Sequence, residues 1–130
     1  MGNIKTKSLE EALQEVAISD LMARHPRIFE GRDSHYTILK HVYIYNEYQK
    51  IRQEVKRKFP EVAGFLPQRY YYLIVSQRFS LTPNYVCAII TRIQRKGEKA
   101  FEEAKIAKQI IIEDECKKAL KRKCPKAFYD

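Results

Sequence analysis

Apolar residues recur along this chain at spacings of three and four, the period of helices that bury one side. The first stripe joins Leu9, Ala12, Leu13, Val16, Ala17 and Leu21. Ahead of it Ser8 and Glu11 form a capping-box pattern, in which each side chain satisfies an amide of the first turn. Pro26 stops this helix, and a loop through Gly31, Arg32, Asp33 and Ser34 leads to a longer one. Either Asp33 or Ser34 can cap it. Its apolar side carries Ile38, Val42, Tyr45, Tyr48, Ile51, Val55 and Phe59, and Pro60 is its stop, so the pattern predicts a scaffold helix running to about Lys58.

The string from Pro60 to Pro67 has turn residues around Val62, Phe65 and Leu66, which predicts a connector pinned by apolar anchors. Beyond it the pattern predicts a helix from Gln68 to Phe79. The tract Tyr70 to Val75 is rich in strand formers and would also suit a buried strand, but the flanking pattern requires a helix. Thr82 followed by Pro83 reads as an N-cap and a proline in the first helical position, where its missing amide costs nothing. Gly97 closes that helix after a cationic last turn. A final helix from Glu98 to about Lys123 has an acidic start and a basic end, which complement the helix dipole. Its stripe is Ala100, Phe101, Ala104, Ala107, Ile110 and Ile111, continued weakly by Cys116, Ala119 and Leu120. The expected fold is all-α, about five helices in a single domain spanning 1–130, with no β wing.

Within 68–96 the inward positions form a set that suits two helices packed steeply across a tight turn. Ser76 is small, Val75 and Phe79 lie on its side of the first helix, Leu81 fills the turn, and Val86, Ile89 and Ile90 make the stripe of the second. Over this fifth of the chain the residues resemble the helix-turn-helix superfamily of DNA-binding proteins. Ser80 departs from that pattern, which commonly has glycine in the turn. The resemblance implies that Thr82, Asn84, Cys87, Ala88 and Thr91 meet base edges. Asn84 has the donor and acceptor for adenine, and Ala88 and the Thr91 methyl suit a thymine methyl. Tyr85, Arg92, Gln94, Arg95 and Lys96 have the chemistry for phosphate contacts, which position a protein without specifying sequence.

Charge agrees. The formal net charge is +9, and cations bunch at Lys50 to Lys58, at Arg92 to Lys99 and from Lys117 to Lys126. Solvated helix surface would account for the amount of charge but not for Arg92, Arg95 and Lys96 directly following the proposed reading helix. The expected partner is double-stranded DNA.

Other classes find little support. No Gly-rich phosphate loop, nucleophile signature or isolated carboxylate cluster occurs, so no enzyme, cofactor or small-molecule substrate is expected. Cys87, Cys116 and Cys124 are odd in number, and their spacings of 29 and 8 match neither a disulfide framework nor a zinc knuckle. They suit a reducing interior. His35 and His41 are six apart and share no helix face as a metal pair would, so no metal site is expected. The start of the chain has no apolar signal core and no run is long enough for a bilayer, which predicts a cytoplasmic protein free of membrane. The nine tyrosines read first as amphipathic rings at the core edge, and only second as stacking platforms for unpaired bases. The stripe of the final helix, 98–123, either packs back on the domain or pairs with a second copy in a homodimer. Two functional expectations follow: a helix-turn-helix regulator or DNA-recognition adaptor, or a helical interaction and assembly module that does not touch nucleic acid.

Overall fold

A computed structural model describes residues 9–31 and 33–123. The expected Ser8 cap, Arg32 and Cys124 fall outside these residues. The elements in chain order are α1 (Leu9–Val16), α2 (Ile18–Arg24), a 3-10 turn (Pro26–Glu30), α3 (Ser34–Lys58), α4 (Pro60–Ala63), α5 (Gln68–Phe79), α6 (Pro83–Lys96) and α7 (Glu98–Lys123). Among the described residues there is no strand, so the all-α expectation holds and no wing follows α6. No described helix is long and apolar enough to cross a membrane.

The first expected helix is two helices. The chain breaks at Ala17, whose backbone is left-handed at φ 51° and ψ 45°. The reason lies in what the flanking residues bury. Val16 and Ile18 are both sealed, at 0% and 2% exposure, and one straight helix would turn them about 160° apart, onto nearly opposite sides. With the break, α1 packs on α7 while α2 packs on α3.

The 25-residue helix α3 is the scaffold that the pattern predicted, and α2, α5, α6 and α7 all pack on it. Leu39, Val42, Tyr45, Tyr48 and Ile51 are buried along it. Tyr45 and Tyr48 lie in the core itself rather than at its edge, at 2% and 0% exposure. Their hydroxyls are satisfied: Gln49 Nε2 donates to Tyr45 Oη at 2.8 Å, and Tyr48 Oη donates to Gln68 Oε1. The Tyr45 ring also meets Phe101 of α7, with centroids 5.8 Å apart. Ala100, Ala104 and Ala107 are buried beside it, and such short side chains let α7 approach closely. The terminal helix therefore packs back on the domain as far as Ile111, whereas Ile106, Ile110 and Leu120 remain exposed. Ile110 was expected inside; it stands at the margin, 39% exposed.

The connector also departs from expectation. Phe59, Val62 and Phe65 are 58%, 47% and 86% exposed, and of the anticipated anchors only Leu66 packs against the core. Ile51 is the last buried residue of α3. From there to Phe59 the helix rises about 12 Å, which carries the chain past the end of the core before it turns.

Candidate nucleic-acid interface

The helices α5 and α6 have the boundaries that the sequence predicts, and the tyrosine tract inside α5 is helical. Their junction is built from four consecutive residues. Ser80 adopts the left-handed conformation, φ 56° and ψ 41°, in the place where glycine is commoner. The amides of Ser80 and Leu81 both donate to the Ser76 carbonyl, the latter at 2.8 Å, so the end of α5 is satisfied. Leu81 packs inward, and Thr82 caps α6 by accepting the Tyr85 amide at 3.2 Å. Pro83 then occupies the first helical position.

Small size at Ser76 allows the two helices to meet. It is 2% exposed, and its Oγ donates to the Leu73 carbonyl at 2.7 Å, which spares the core an unsatisfied hydroxyl. Val75, Val86, Ile89, Ile90 and Ile93 close around it, all at 4% exposure or less. Phe79 is only partly buried, stacked on Phe29 with centroids 5.6 Å apart. An ion pair fixes α5 to the scaffold. Arg78 Nη1 lies 2.7 Å from Oε2 of Glu47, a carboxylate that is 8% exposed and whose other oxygen has Lys50 Nζ at 3.6 Å.

Burying Val86, Ile89, Ile90 and Ile93 turns the opposite side of α6 to solvent. Asn84, Ala88, Thr91 and Arg95 follow one another at spacings of four, three and four, and so share that outward line. Asn84, Ala88 and Arg95 are exposed, and Thr91 is half-buried. Thr82 is exposed beside the line, with its hydroxyl oxygen engaged as the cap. Cys87 is half-buried beside Tyr72 of α5, and its Sγ lies 3.9 Å from Thr91 Oγ1. Burial, with Tyr48 and Cys87 nearby, raises the Tyr72 pKa above the usual tyrosine value.

The phosphate candidates divide. Arg92, Gln94 and Arg95 are exposed, and neither arginine makes an ion pair among the described residues. Lys96 is drawn toward α7 by Glu103, 3.0 Å away. Tyr85 is 48% exposed, and its hydroxyl reaches across to His41 Nε2 of α3 at 3.3 Å. His41 is a neighbour that sequence reasoning missed, since a contact between residues 44 apart leaves no local signal. Burial, then the adjacent Arg92 and Lys40, hold its pKa below the usual histidine value.

From Gln68 to Lys96 the chain contains no Asp or Glu, while Arg69, Arg78, Arg92, Arg95 and Lys96 all fall within it. The outward side of α6 therefore carries hydrogen-bonding groups and cations with no carboxylate of its own to repel a polyanion. No metal-holding group of His, Cys, Asp or Glu occurs among the described residues. The chain matches no protein-family model, no curated protein and no solved structure.

Proposed function

We propose that this chain is a DNA-binding protein of the helix-turn-helix type, in which α5 braces against the sugar-phosphate backbone and α6 lies in the major groove. The observation that carries the reading is the outward line of α6, where Asn84, Ala88, Thr91 and Arg95 face away from a fully buried apolar stripe. A major groove about 12 Å wide admits one helix, and side chains on such a line meet base edges. Asn84 is the adenine reader, Ala88 and Thr91 offer methyl contact, and Arg95 reaches guanine or phosphate. Arg92 and Gln94 flank the line toward the phosphates. Thr82 and Tyr85 hold the start of α6 in place as much as they touch DNA. A cytoplasmic regulator or DNA-recognition adaptor is the role that fits.

Binding to random duplex at two salt concentrations tests the reading. Affinity is expected to fall steeply as salt rises, because each neutralised phosphate releases counterions. A flat response, or no binding at about 50 mM salt, overturns the proposal and leaves the interaction module in its place. A two-fold DNA site is read best by two copies. Ile106, Ile110 and Leu120 of α7 offer the surface for such pairing, and sedimentation of the free protein would detect it.

A further inference from the structure

We propose that the cleft between the second half of α3 and α4 docks an acidic amphipathic helix of a partner protein. One wall is a single side of α3, where Gln49, Arg52, Gln53 and Lys56 recur at helical spacing. The other wall is α4 with Gly64, and Tyr71 of α5 completes the lining of a space of about 640 Å³. Next to these residues in the chain stand Phe59, Val62 and Phe65, the exposed apolar group of the connector. Folded monomers rarely leave large apolar side chains grouped in the open, and such groups mark surfaces that another molecule covers.

Charge identifies the occupant. Between Arg52 and Arg69 there are five cations, Arg52, Lys56, Arg57, Lys58 and Arg69, against the two carboxylates Glu54 and Glu61. Glu54 is paired with Lys58 at 2.9 Å, whereas Arg52, Lys56, Arg57 and Arg69 make no ion pair among the described residues. Arg52 is already oriented: its Nη1 donates to Tyr48 Oη at 3.2 Å, and its guanidinium stands 5.6 Å from the Tyr48 ring centre and 5.7 Å from that of Tyr71. A guanidinium held in this way keeps donors free and loses little freedom when a carboxylate arrives. A helix with leucine or phenylalanine on one side and glutamate on the other would lay its apolar residues over Pro60, Ala63 and the Tyr71 ring and extend past Gly64 to its chain neighbour Phe65. Its carboxylates would meet Arg52 and Lys56. This is the helix-in-groove mode of recognition. A flat lipid surface would also accept Phe65, but it would leave the Gln49 and Gln53 lining of the cleft unused.

Gly64 provides a clean test. Its backbone is ordinary right-handed helix, φ −69° and ψ −16°, and a Cβ there meets nothing within 4 Å. Gly64→Leu is therefore expected to fold normally and fill the cleft. The probe is a labelled four-turn synthetic peptide with leucines on one helical side and glutamates elsewhere, titrated against the full chain and followed by fluorescence anisotropy. Saturable micromolar binding is expected, weakened about tenfold or more by Gly64→Leu and by Phe65→Ser, while thermal melting and binding to duplex DNA stay unchanged. A version with every glutamate replaced by lysine should not bind. Absence of saturable binding, equal binding of the lysine peptide, or indifference to Gly64→Leu overturns the proposal. So does an outcome in which the peptide fails to bind and Phe65→Ser abolishes pelleting with phosphatidylserine vesicles, which assigns the surface to a membrane. Self-association lost in Gly64→Leu, without peptide binding, overturns it in favour of a second copy.

Discussion

The helix α6 and the connector between α3 and α5 are both rich in apolar residues, and they treat them oppositely. Val86, Ile89, Ile90 and Ile93 of α6 are all sealed at 4% exposure or less, whereas Phe59, Val62 and Phe65 stand 47% exposed or more. The difference is mechanical. A helix of 14 residues, capped by Thr82 and ended at Gly97, presents an apolar stripe that α3 and α5 can cover along its length. The four-residue α4 turns back on the far end of α3 alone, beyond the last buried residue of that helix, and this contact leaves Phe59, Val62 and Phe65 uncovered. Periodicity assigns burial only to an element that has something to pack against. A large apolar residue left without a neighbour is then information about an external partner.

The sharpest way to break the contrast is to truncate one residue from each region. Ile90 is fully buried, and Ile90→Ala should lower the unfolding free energy in urea by about 2–5 kcal/mol, from lost burial and the cavity left behind. Phe65→Ala removes a larger side chain yet should change stability by less than about 0.5 kcal/mol, because that ring is already in water. Equal costs would mean that the connector belongs to the core and that the two regions do not differ.

The second test asks whether the two surfaces have separate tasks. Asn84→Ala should reduce preference for a DNA site selected from random pools by about 1–3 kcal/mol, measured by competition against scrambled duplex. Arg92→Ala should weaken all duplexes alike and lower the salt slope by about 1. Phe59→Ala should leave both quantities unchanged. An unchanged preference in Asn84→Ala would remove Asn84 from base reading while leaving the cationic flank intact.

What the sequence made legible follows the same division. The ends of α5 and α6 could be read because Thr82, Pro83 and Gly97 each act through local backbone chemistry. The outward line was legible too, since a helix with one buried stripe has only one opposite side. The break at Ala17 was not, because alanine is the best helix former and the cause is the separate packing of α1 on α7, far along the chain. Nor were the tie of Tyr85 to His41 or of Arg78 to Glu47, which join residues 44 and 31 apart. The exposure of Phe65 was misread because turn chemistry locates a connector without revealing how far the preceding helix extends beyond the core.

A smaller effect concerns the turn that aims α6. Ser80 is held left-handed, which costs a residue with a Cβ about 1–2 kcal/mol, and the greater unfolded-state freedom of glycine offsets part of the relief. Ser80→Gly is therefore expected to raise stability by about 0.5–1 kcal/mol and the melting temperature by a few degrees. DNA affinity should be preserved. A loss of stability would show that the Ser80 side chain contributes more than its backbone strain costs, and that the turn is held by more than the two amides on the Ser76 carbonyl.

The smallest effect is electrostatic and again separates the two regions. Burial first, then Arg92 and Lys40, lowers the His41 pKa from its ordinary 6.5, so the unfolded chain takes up a proton at that position more readily than the folded one. Stability must then rise with pH between the lowered folded value and 6.5, and the contribution present above 6.5 is lost as pH falls through that window. His41→Gln keeps a hydrogen-bonding group for Tyr85 and removes the titration, so its urea midpoint should change less than that of the parent between about pH 7.5 and pH 5.5. The segment from Phe59 to Leu66 contains no histidine, and Phe65→Ala should leave this pH dependence as it was. If His41→Gln retained the full dependence, the proton would be taken up elsewhere. The contact between α3 and the start of α6 would then be insensitive to charge, leaving packing alone to hold Tyr85 in place.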